Sequence, residues 1–548
     1  MAVISFIFAL KFTDYLNLIV LSFLIYVFHF YYKYFTRPNK LPGPLPLPFI
    51  ECSYLFKSDA KQLFISLHEK YGDICEIYLG GLRRISISRP EYIENMLTHS
   101  ATDTTFMIRW PYSEGLEELG VAGRGLLFNH DIKSWRYNRQ FFNKAIQSPS
   151  FNLEAIKWVD KIFQELEGYW ESLANARSSS DISLDNKHKW SLETDLSLWT
   201  NSFTNDIIIV LTTGERSYSM ASLYNKLSPI KVNISDALIE DSDRFVRGIK
   251  EHTLVASYFT FLVSSLRHYI PFIRNNIKSL VENKDFLYEK LELIVKKRRT
   301  EIEETPIGEK LRNDLLTSLI IANTKRDMDD LKTVEGEIFR PLTDIEIRGN
   351  MLDACLGGTN ASANLFGFLT YYICQYPQVK QKMLAEIDSI FPQNTCINHD
   401  DLFKLDYCVA IIKEVSRIMP VVSLLARYTN NPCKIAGYKW DAGTMFHVNL
   451  YGVHMHKDHW TNPDTFDPDR FYNKNDEIGR YKFSFTMWGG GLRICPGRKL
   501  AMIELLSLMV LIFRKYNVEL VNEKLPLNSI TSLVTFCEKL LVRITPRN

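Results

Sequence analysis

Little in this sequence would hold it together covalently or draw it to a polyanion. It has nine cysteines in 548 residues and no Cys-x-x-Cys pair. An odd cysteine count at that density excludes a disulfide framework, and a reducing compartment fits best. The net charge is only +2, so no basic field points to nucleic acid. No internal repeat is visible, and no low-complexity tract beyond one proline-rich stretch. Long apolar runs are also scarce. Tyr15 to Tyr32 is uncharged over eighteen residues, and LVASYFTFLVSSL at 254–266 is the other apolar run considered, with thirteen. The second is too short to span a bilayer. It reads as buried core, the alternative being a surface segment dipping into a membrane near a substrate entrance. Hydrophobic residues make up 46% of the chain and aromatic residues 13%, enough to fill one oversized domain.

The stretch from Tyr15 to Tyr32 spans about 27 Å as a helix, close to a hydrocarbon core of about 30 Å. It is longer than a typical signal-peptide core, and no small-residue cleavage site follows it. Lys33, Arg37 and Lys40 follow, whereas only Lys11, the amino terminus and the opposing Asp14 precede it. That bias puts the C-terminal mass in the cytosol. The segment Leu41 to Pro48, LPGPLPLP, has proline at four of eight positions and reads as a stiff, extended spacer. Three parts are expected: an anchor at 1–35, a linker at 36–48 and one domain over 49–548.

Within the domain, residues 71–90 alternate and read as a hairpin about Gly80-Gly81. Helical periodicity dominates from about 130 to 425. Short strands follow at 427–450, with bends at Gly437 and Gly443, and helix returns after Pro496. The fold class is mainly α with small β-sheets. The clearest helix is 344–375, opened by the capping box Thr343-x-x-Glu346 and stopped by Pro377. Its roughly 30 residues make a rod of about 45 Å. Gly357 and Gly358 in its middle cost about 2 kcal/mol in helix propensity. A ligand groove or a close helix crossing would compensate.

The most informative stretch is Trp488 to Gly497, WGGGLRICPG. Gly489, Gly490 and Gly491 allow positive φ and close backbone approach. Arg493 supplies a fixed cation two residues from Cys495. The helix after Pro496 turns its N-terminal amides toward the sulfur, which favours thiolate. A lone thiolate below a planar ligand is how a haem iron is held for oxygen chemistry.

At these residues the chain resembles the cytochrome P-450 family, in its microsomal, membrane-anchored form. Gly491, Arg493, Cys495 and Gly497 match the family's haem loop, with Trp488 where the family has Phe. Ala501 and Glu504 match the helix beyond it. Glu414-Val-Ser-Arg417 matches Glu-x-x-Arg, Phe466-Asp-Pro-Asp-Arg-Phe471 resembles the Pro-Glu-Arg-Phe segment, and Trp135-x-x-x-Arg139 matches an N-terminal motif. The resemblance runs from about residue 40 to the end.

It implies a cytochrome P-450 fold, a single haem domain behind a transmembrane helix, and haem b with Cys495 as the axial iron ligand. It implies Trp135, Arg139, Arg427 and Arg493 at the haem propionates, Gly358, Gly491 and Gly497 around the cofactor, and Glu414, Arg417 and Arg470 as a buried scaffold. Trp488 either packs beside the sulfur or donates its indole N–H to it. His454, His456 and His459 fit no zinc pattern, and His454 matches a family histidine.

The implied activity is a monooxygenase that puts one atom of O2 into a lipophilic molecule such as a sterol or fatty acid. An NADPH-dependent flavoprotein reductase would supply electrons, docking on the basic residues Lys133, Arg136, Lys144, Arg498 and Lys499. The implied location is the endoplasmic reticulum membrane, single-pass, with the domain in the cytosol. The chain departs from the family on the long helix. Asn360 replaces the usual acid and Ala361 the usual threonine, with Ser362 next. Asn cannot ionise and Ala has no hydroxyl. One reading is that Asn360 and Ser362 order water by hydrogen bonds alone, and another is that a substrate hydroxyl delivers the proton. The alternatives are an isomerase or dehydratase acting on an oxygenated lipid without NADPH, and a non-catalytic haem-binding sensor.

Overall fold

The uncharged N-terminal stretch forms helix α1 (Phe12–Thr36), 25 residues with no buried side chain and a mean hydropathy of 1.6 over its most apolar window. At about 1.5 Å per residue it is about 37 Å long, enough to cross a bilayer. The computed structural model describes residues 11–55, 59–98, 103–178, 190–326, 340–392, 395–472 and 481–547. The first ten residues of the expected anchor lie outside them.

The proline-rich segment is extended, but it is not a free spacer. Pro42 O accepts a hydrogen bond from Glu76 N at 2.9 Å, and Leu41, Pro44 and Pro46 are buried. Arg37 just ahead of it pairs with the buried Glu76. A segment without internal hydrogen bonds gains by docking on a strand that offers some.

The hairpin forms as its alternation predicts. Strands β1 (Ile74–Leu79) and β2 (Leu82–Ile87) pair antiparallel from Ile74↔Ile87 to Leu79↔Leu82, and Gly80 and Gly81 make the turn with φ of 64° and 80°. Two later strands join them, β3 (Leu424–Tyr428) and β4 (Met445–Asn449), in the order β1-β2-β4-β3. β4 runs parallel to β2 and antiparallel to β3. Small two- and three-stranded sheets complete the β content among the described residues.

Helices make up the rest. Those that bear on the site are α2 (Ile132–Ile146), α3 (Leu196–Thr213), α4 (Ser242–Phe261), α5 (Asp344–Gln375), α6 (Asp406–Ile418) and α7 (Arg498–Lys515). The apolar run at 254–266 ends α4, where Ala256, Phe259, Thr260 and Phe261 are buried, so the core reading holds for that part. α5 has the expected bounds. Thr343 Oγ1 accepts from Glu346 N at 3.3 Å, and Thr343 N donates to Glu346 Oε2 at 2.9 Å.

The two mid-helix glycines divide the roles considered for them. A Cβ on Gly358 would sit 2.2 Å from Ile208 Cδ1 of α3, whereas one on Gly357 would meet nothing within 4 Å. Gly358 therefore permits the close crossing of α3 and α5, where Thr204 Oγ1 donates to Thr359 O at 2.9 Å. The glycine with open space beside it is Gly357. Both glycines also line the large cavity described below.

The expected scaffold is formed. Fully buried Arg417 donates to both oxygens of Glu414 at 2.8 Å, and to Pro463 O at 2.7 Å. Arg470 Nε and Asp467 N also donate to Glu414 Oε1, at 3.1 and 2.9 Å. The pair thus ties α6 to the segment that leads into the glycine loop. The three histidines point to different partners. His454 Nε2 accepts from Thr486 N at 3.1 Å, His456 meets Asp73 at 3.1 Å, and His459 meets Glu91 at 3.2 Å.

Removing one member of a fully buried ion pair strands the other charge and costs on the order of 3–5 kcal/mol, whereas replacing both by apolar residues is milder. Arg417→Ala is expected to lower stability by about that amount in a urea titration. Arg417→Met with Glu414→Leu is expected to recover part of the loss. A single variant as stable as wild type contradicts the scaffold role.

Candidate functional site

The glycine loop is shaped by its backbone. Gly489 and Gly491 have φ of 71° and 61°, a region that costs L-residues dearly. A Cβ on Gly490 would lie 2.8 Å from Leu97 Cβ. Cys495 N donates to Trp488 O at 2.9 Å and closes the loop, and Ala501 N then bonds Gly497 O to start α7. Among the described residues no hydrogen bond joins the Trp488 indole to the sulfur, so the link between these two residues is through the backbone.

Cys495 lines a mostly apolar cavity of about 380 Å³, roofed by α4 and α5 residues and floored by the glycine loop and α7. Burial pushes its thiol pKa up, while the Gly497 N–H and the cations of Arg109, Arg139 and Arg498 pull it down. The helix-terminus effect expected from the sequence acts in the predicted direction, but burial outweighs it. A thiolate here needs a further positive partner.

Cations crowd around the same cavity. Arg493 is 1% exposed and gives its guanidinium to three backbone carbonyls, Met107 O at 2.7 Å, Leu126 O at 2.9 Å and Asn129 O at 3.0 Å. It lies 4.0 Å from the centre of the Trp135 ring. Arg139, one turn after Trp135 on α2, donates to Ile494 O at 2.5 Å. Arg427 of β3, 1% exposed, donates to Ala426 O at 2.8 Å. Arg109 donates to Arg493 O at 2.9 Å. The Nε atoms of Arg139 and Arg427 are buried without a partner. Burial first, then mutual repulsion, pushes Arg427 down to about 9 and Arg139 to about 10, and Arg493 well below its usual range. Four guanidinium groups near one thiol and one buried carboxyl form an excess of buried positive charge. An anionic ligand with several acceptor oxygens fits it. Haem, with two propionates and an iron that would compensate the thiolate, meets both requirements.

The acids are placed less expectedly. Asp353 of α5 accepts from Leu126 N and Leu127 N and is pushed up to about 6 by burial. Glu504 of α7 lines the cavity and is pushed up to about 8 by burial, with the neighbouring Ser362 hydroxyl pulling the other way. Its Oε1 is buried without a partner. Asn360 Nδ2 donates to Thr253 Oγ1 of α4 at 2.9 Å and reaches Ile249 O at 3.5 Å, while its Oδ1 is buried and unpartnered.

Of the residues expected from sequence, Trp135, Arg139, Gly358, Asn360, Ser362, Arg427, Arg493, Cys495 and Gly497 all line this one cavity. Gly491 shapes the loop beneath it. Arg109, Asp353 and His252 line it too and were not foreseen. Arg109 had a signal, since it is a lone charge within the apolar run Phe106 to Trp110. Asp353 had a weaker one, as an acid on the apolar face of a long helix. His252 had none.

Comparison with known proteins agrees with this geometry. The cytochrome P450 family profile matches residues 41–542. Cytochrome P450 83A1 of Arabidopsis thaliana is 26% identical over 490 residues, covering 88% of each chain. Cytochrome P450 3A6 of Oryctolagus cuniculus is 24% identical over 491 residues, covering 88% of this chain and 86% of that one. The crystal structure of the cytochrome P450DA heme domain superposes with a TM-score of 0.71 at 18% identity, over 93% of this chain and 98% of that one, a likeness of fold. With most of its length matched and a cysteine at the floor of a cation-rimmed cavity, the chain belongs to the cytochrome P450 family, the haem-thiolate monooxygenases.

Proposed function

We propose that this protein is a membrane-anchored monooxygenase that inserts one oxygen atom of O2 into a lipophilic small molecule, with electrons from an NADPH-dependent flavoprotein reductase. The observation that carries this reading is the buried arginine excess around Cys495 in an otherwise apolar cavity. Cys495 would hold the iron of haem b through its sulfur. Trp135, Arg139, Arg427 and Arg493, joined by Arg109, would hold the propionate side, and Gly491 and Gly497 would shape the loop that meets the ring. When bound, the haem supplies the redox chemistry that activates dioxygen.

The remaining work falls to this chain's own residues. The apolar walls of the cavity bind the substrate and exclude water. Asn360 uses its amide N–H groups to hold α4 over α5. The Ser362 hydroxyl and the Glu504 carboxyl form a proton path. Below about pH 8 Glu504 is neutral and donates to Ser362 Oγ, which passes its own proton into the cavity. This pair takes the place of the acid and threonine that Asn360 and Ala361 do not provide. Lys133, Lys144 and Lys499 are exposed on the side of α2 and the start of α7, and they suit an acidic electron donor.

The proposed layout is an anchor at 1–35, a connecting segment at 36–48 and a catalytic domain over 49–548. It is a single-pass protein of the endoplasmic reticulum with its domain in the cytosol. The support is the exposed apolar helix α1 and the cations on its C-terminal side.

Three outcomes are expected. Reconstituted with reductase and a panel of sterols and fatty acids, the protein forms oxygenated product only when NADPH is present. Product without NADPH favours the isomerase or dehydratase class instead. Arg427→Gln, which removes one charge-assisted contact, speeds haem transfer to apomyoglobin by about tenfold or more; an unchanged transfer rate removes Arg427 from the cofactor site. Glu504→Gln raises the hydrogen peroxide released per NADPH consumed. In wild type that leak grows as pH rises through about 8, where the neutral acid is lost, and the variant shows no such pH dependence. A leak independent of Glu504 contradicts the proton path.

A further inference from the structure

The roof of the cavity is mostly apolar, and α4 places an imidazole in it. His252 of α4 is 1% exposed, lines the cavity, and has no hydrogen-bond partner at either ring nitrogen. Burying an imidazole without partners is unfavourable. Burial holds its pKa down, to about 4, so the ring is neutral at physiological pH, with one N–H donor and one acceptor.

A second unpaired group lies nearby. Asn360 of α5 docks its amide on Ile249 O and Thr253 Oγ1. Residues 249, 252, 253 and 256 are spaced to share one face of α4, so His252 lies on the face that Asn360 reaches. The Asn360 Oδ1 is also buried and unpartnered. Both groups are held in place, Asn360 by its bonds to α4 and His252 by burial. The imidazole and the Asn360 carbonyl take no part in the bonds that fix the helices or in the propionate side.

We infer that His252 and the Asn360 carbonyl form a polar contact point for substrate, and that it takes the hydroxyl group of a neutral, otherwise apolar molecule. This deepens the monooxygenase reading and rests on it. A hydroxyl both donates and accepts, so it can take the imidazole N–H and give its own proton to Asn360 Oδ1 or the second ring nitrogen. An ionised carboxylate matches less well, because it only accepts and would face the Asn360 lone pairs. The charge that bears on His252 is that of Lys284, which is paired with Asp285 at 2.9 Å. A hydrocarbon leaves both groups unpaired. Fixing one oxygen at the roof sets which carbon is presented to the floor, so this contact determines regioselectivity.

The test uses ferric full-length holoenzyme, with matched ligands titrated by their spectral binding shifts: 1-dodecanol, dodecane and lauric acid, and the pair cholesterol and cholest-5-ene. The hydroxylated member of each pair is expected to bind at least about tenfold tighter than its hydrocarbon twin, the worth of one buried hydrogen bond. Lauric acid gains no comparable advantage at neutral pH. His252→Phe removes the preference for the hydroxyl and leaves hydrocarbon binding unweakened. Without ligand, the same variant melts at the same temperature as wild type or higher, because an unsatisfied buried group has been replaced by an apolar one.

A lower melting temperature makes His252 a structural residue and overturns the inference. So does an equal loss of affinity for both members of a pair, or a tighter, His252-dependent binding of lauric acid. A nitrogen-ligated resting spectrum that disappears in His252→Phe would make the residue an iron ligand, with the same consequence. These readouts need no turnover. A protein that discriminates hydroxyls yet forms no product with NADPH would fail as a monooxygenase while keeping this contact.

Discussion

A half-buried thiol on the floor of a cavity ringed by guanidinium groups is the constraint from which the rest of this structure follows. Burial raises the Cys495 pKa and lowers those of the arginines. The thiol and the arginines favour each other's charged forms, but burial and the arginines' mutual repulsion outweigh that help. One ligand would resolve both problems, with a metal cation for the sulfur and carboxylates for the arginines. The binding free energy of such a ligand is also folding free energy, since the unfolded chain gathers none of these groups.

The scaffold is arranged to keep that cluster fixed. Arg493 is tied to three carbonyls of the 107–129 segment, and Arg139 and Arg109 reach the backbone of residues 494 and 493. The cysteine loop is thereby tied to α2 and to the segment before it. The Glu414–Arg417 pair anchors the other approach to the loop. Across the cavity, α5 is held by its crossing with α3 at Gly358 and by the amide of Asn360 on α4. The floor and roof are thus fixed by separate sets of bonds, and substrate chemistry is confined to the space between them.

Much of this was legible in the sequence because it is written locally. The long helix has a capping box, an apolar pattern and a proline stop within its own length. The hairpin has alternation and a Gly-Gly turn. Glu414 and Arg417 are three residues apart on one helix, and the cysteine loop is ten consecutive residues. What was not legible depends on chain segments far apart in sequence. Arg109 meets Arg493 across 384 positions, and Asp353 meets Leu127 across 226. Which of two adjacent glycines permits the close helix crossing depends on the partner Ile208, not on the helix that carries them. The proline segment looked like a spacer because composition records stiffness and not the strand it lies against. Ser362 was singled out for its hydroxyl, but its partner Glu504 was seen only as a family match. Its raised pKa comes from burial that no spacing reveals.

The account stands or falls on the sulfur at position 495. The direct measurement is the absorbance of the reduced, haem-loaded protein under carbon monoxide, wild type beside Cys495→Ser. The account predicts the Soret band at the wavelength that gave the family its name in the wild type, and its absence in a folded serine variant that still retains haem. A folded, haem-loaded wild type without that band, or a serine variant that keeps it, would contradict it.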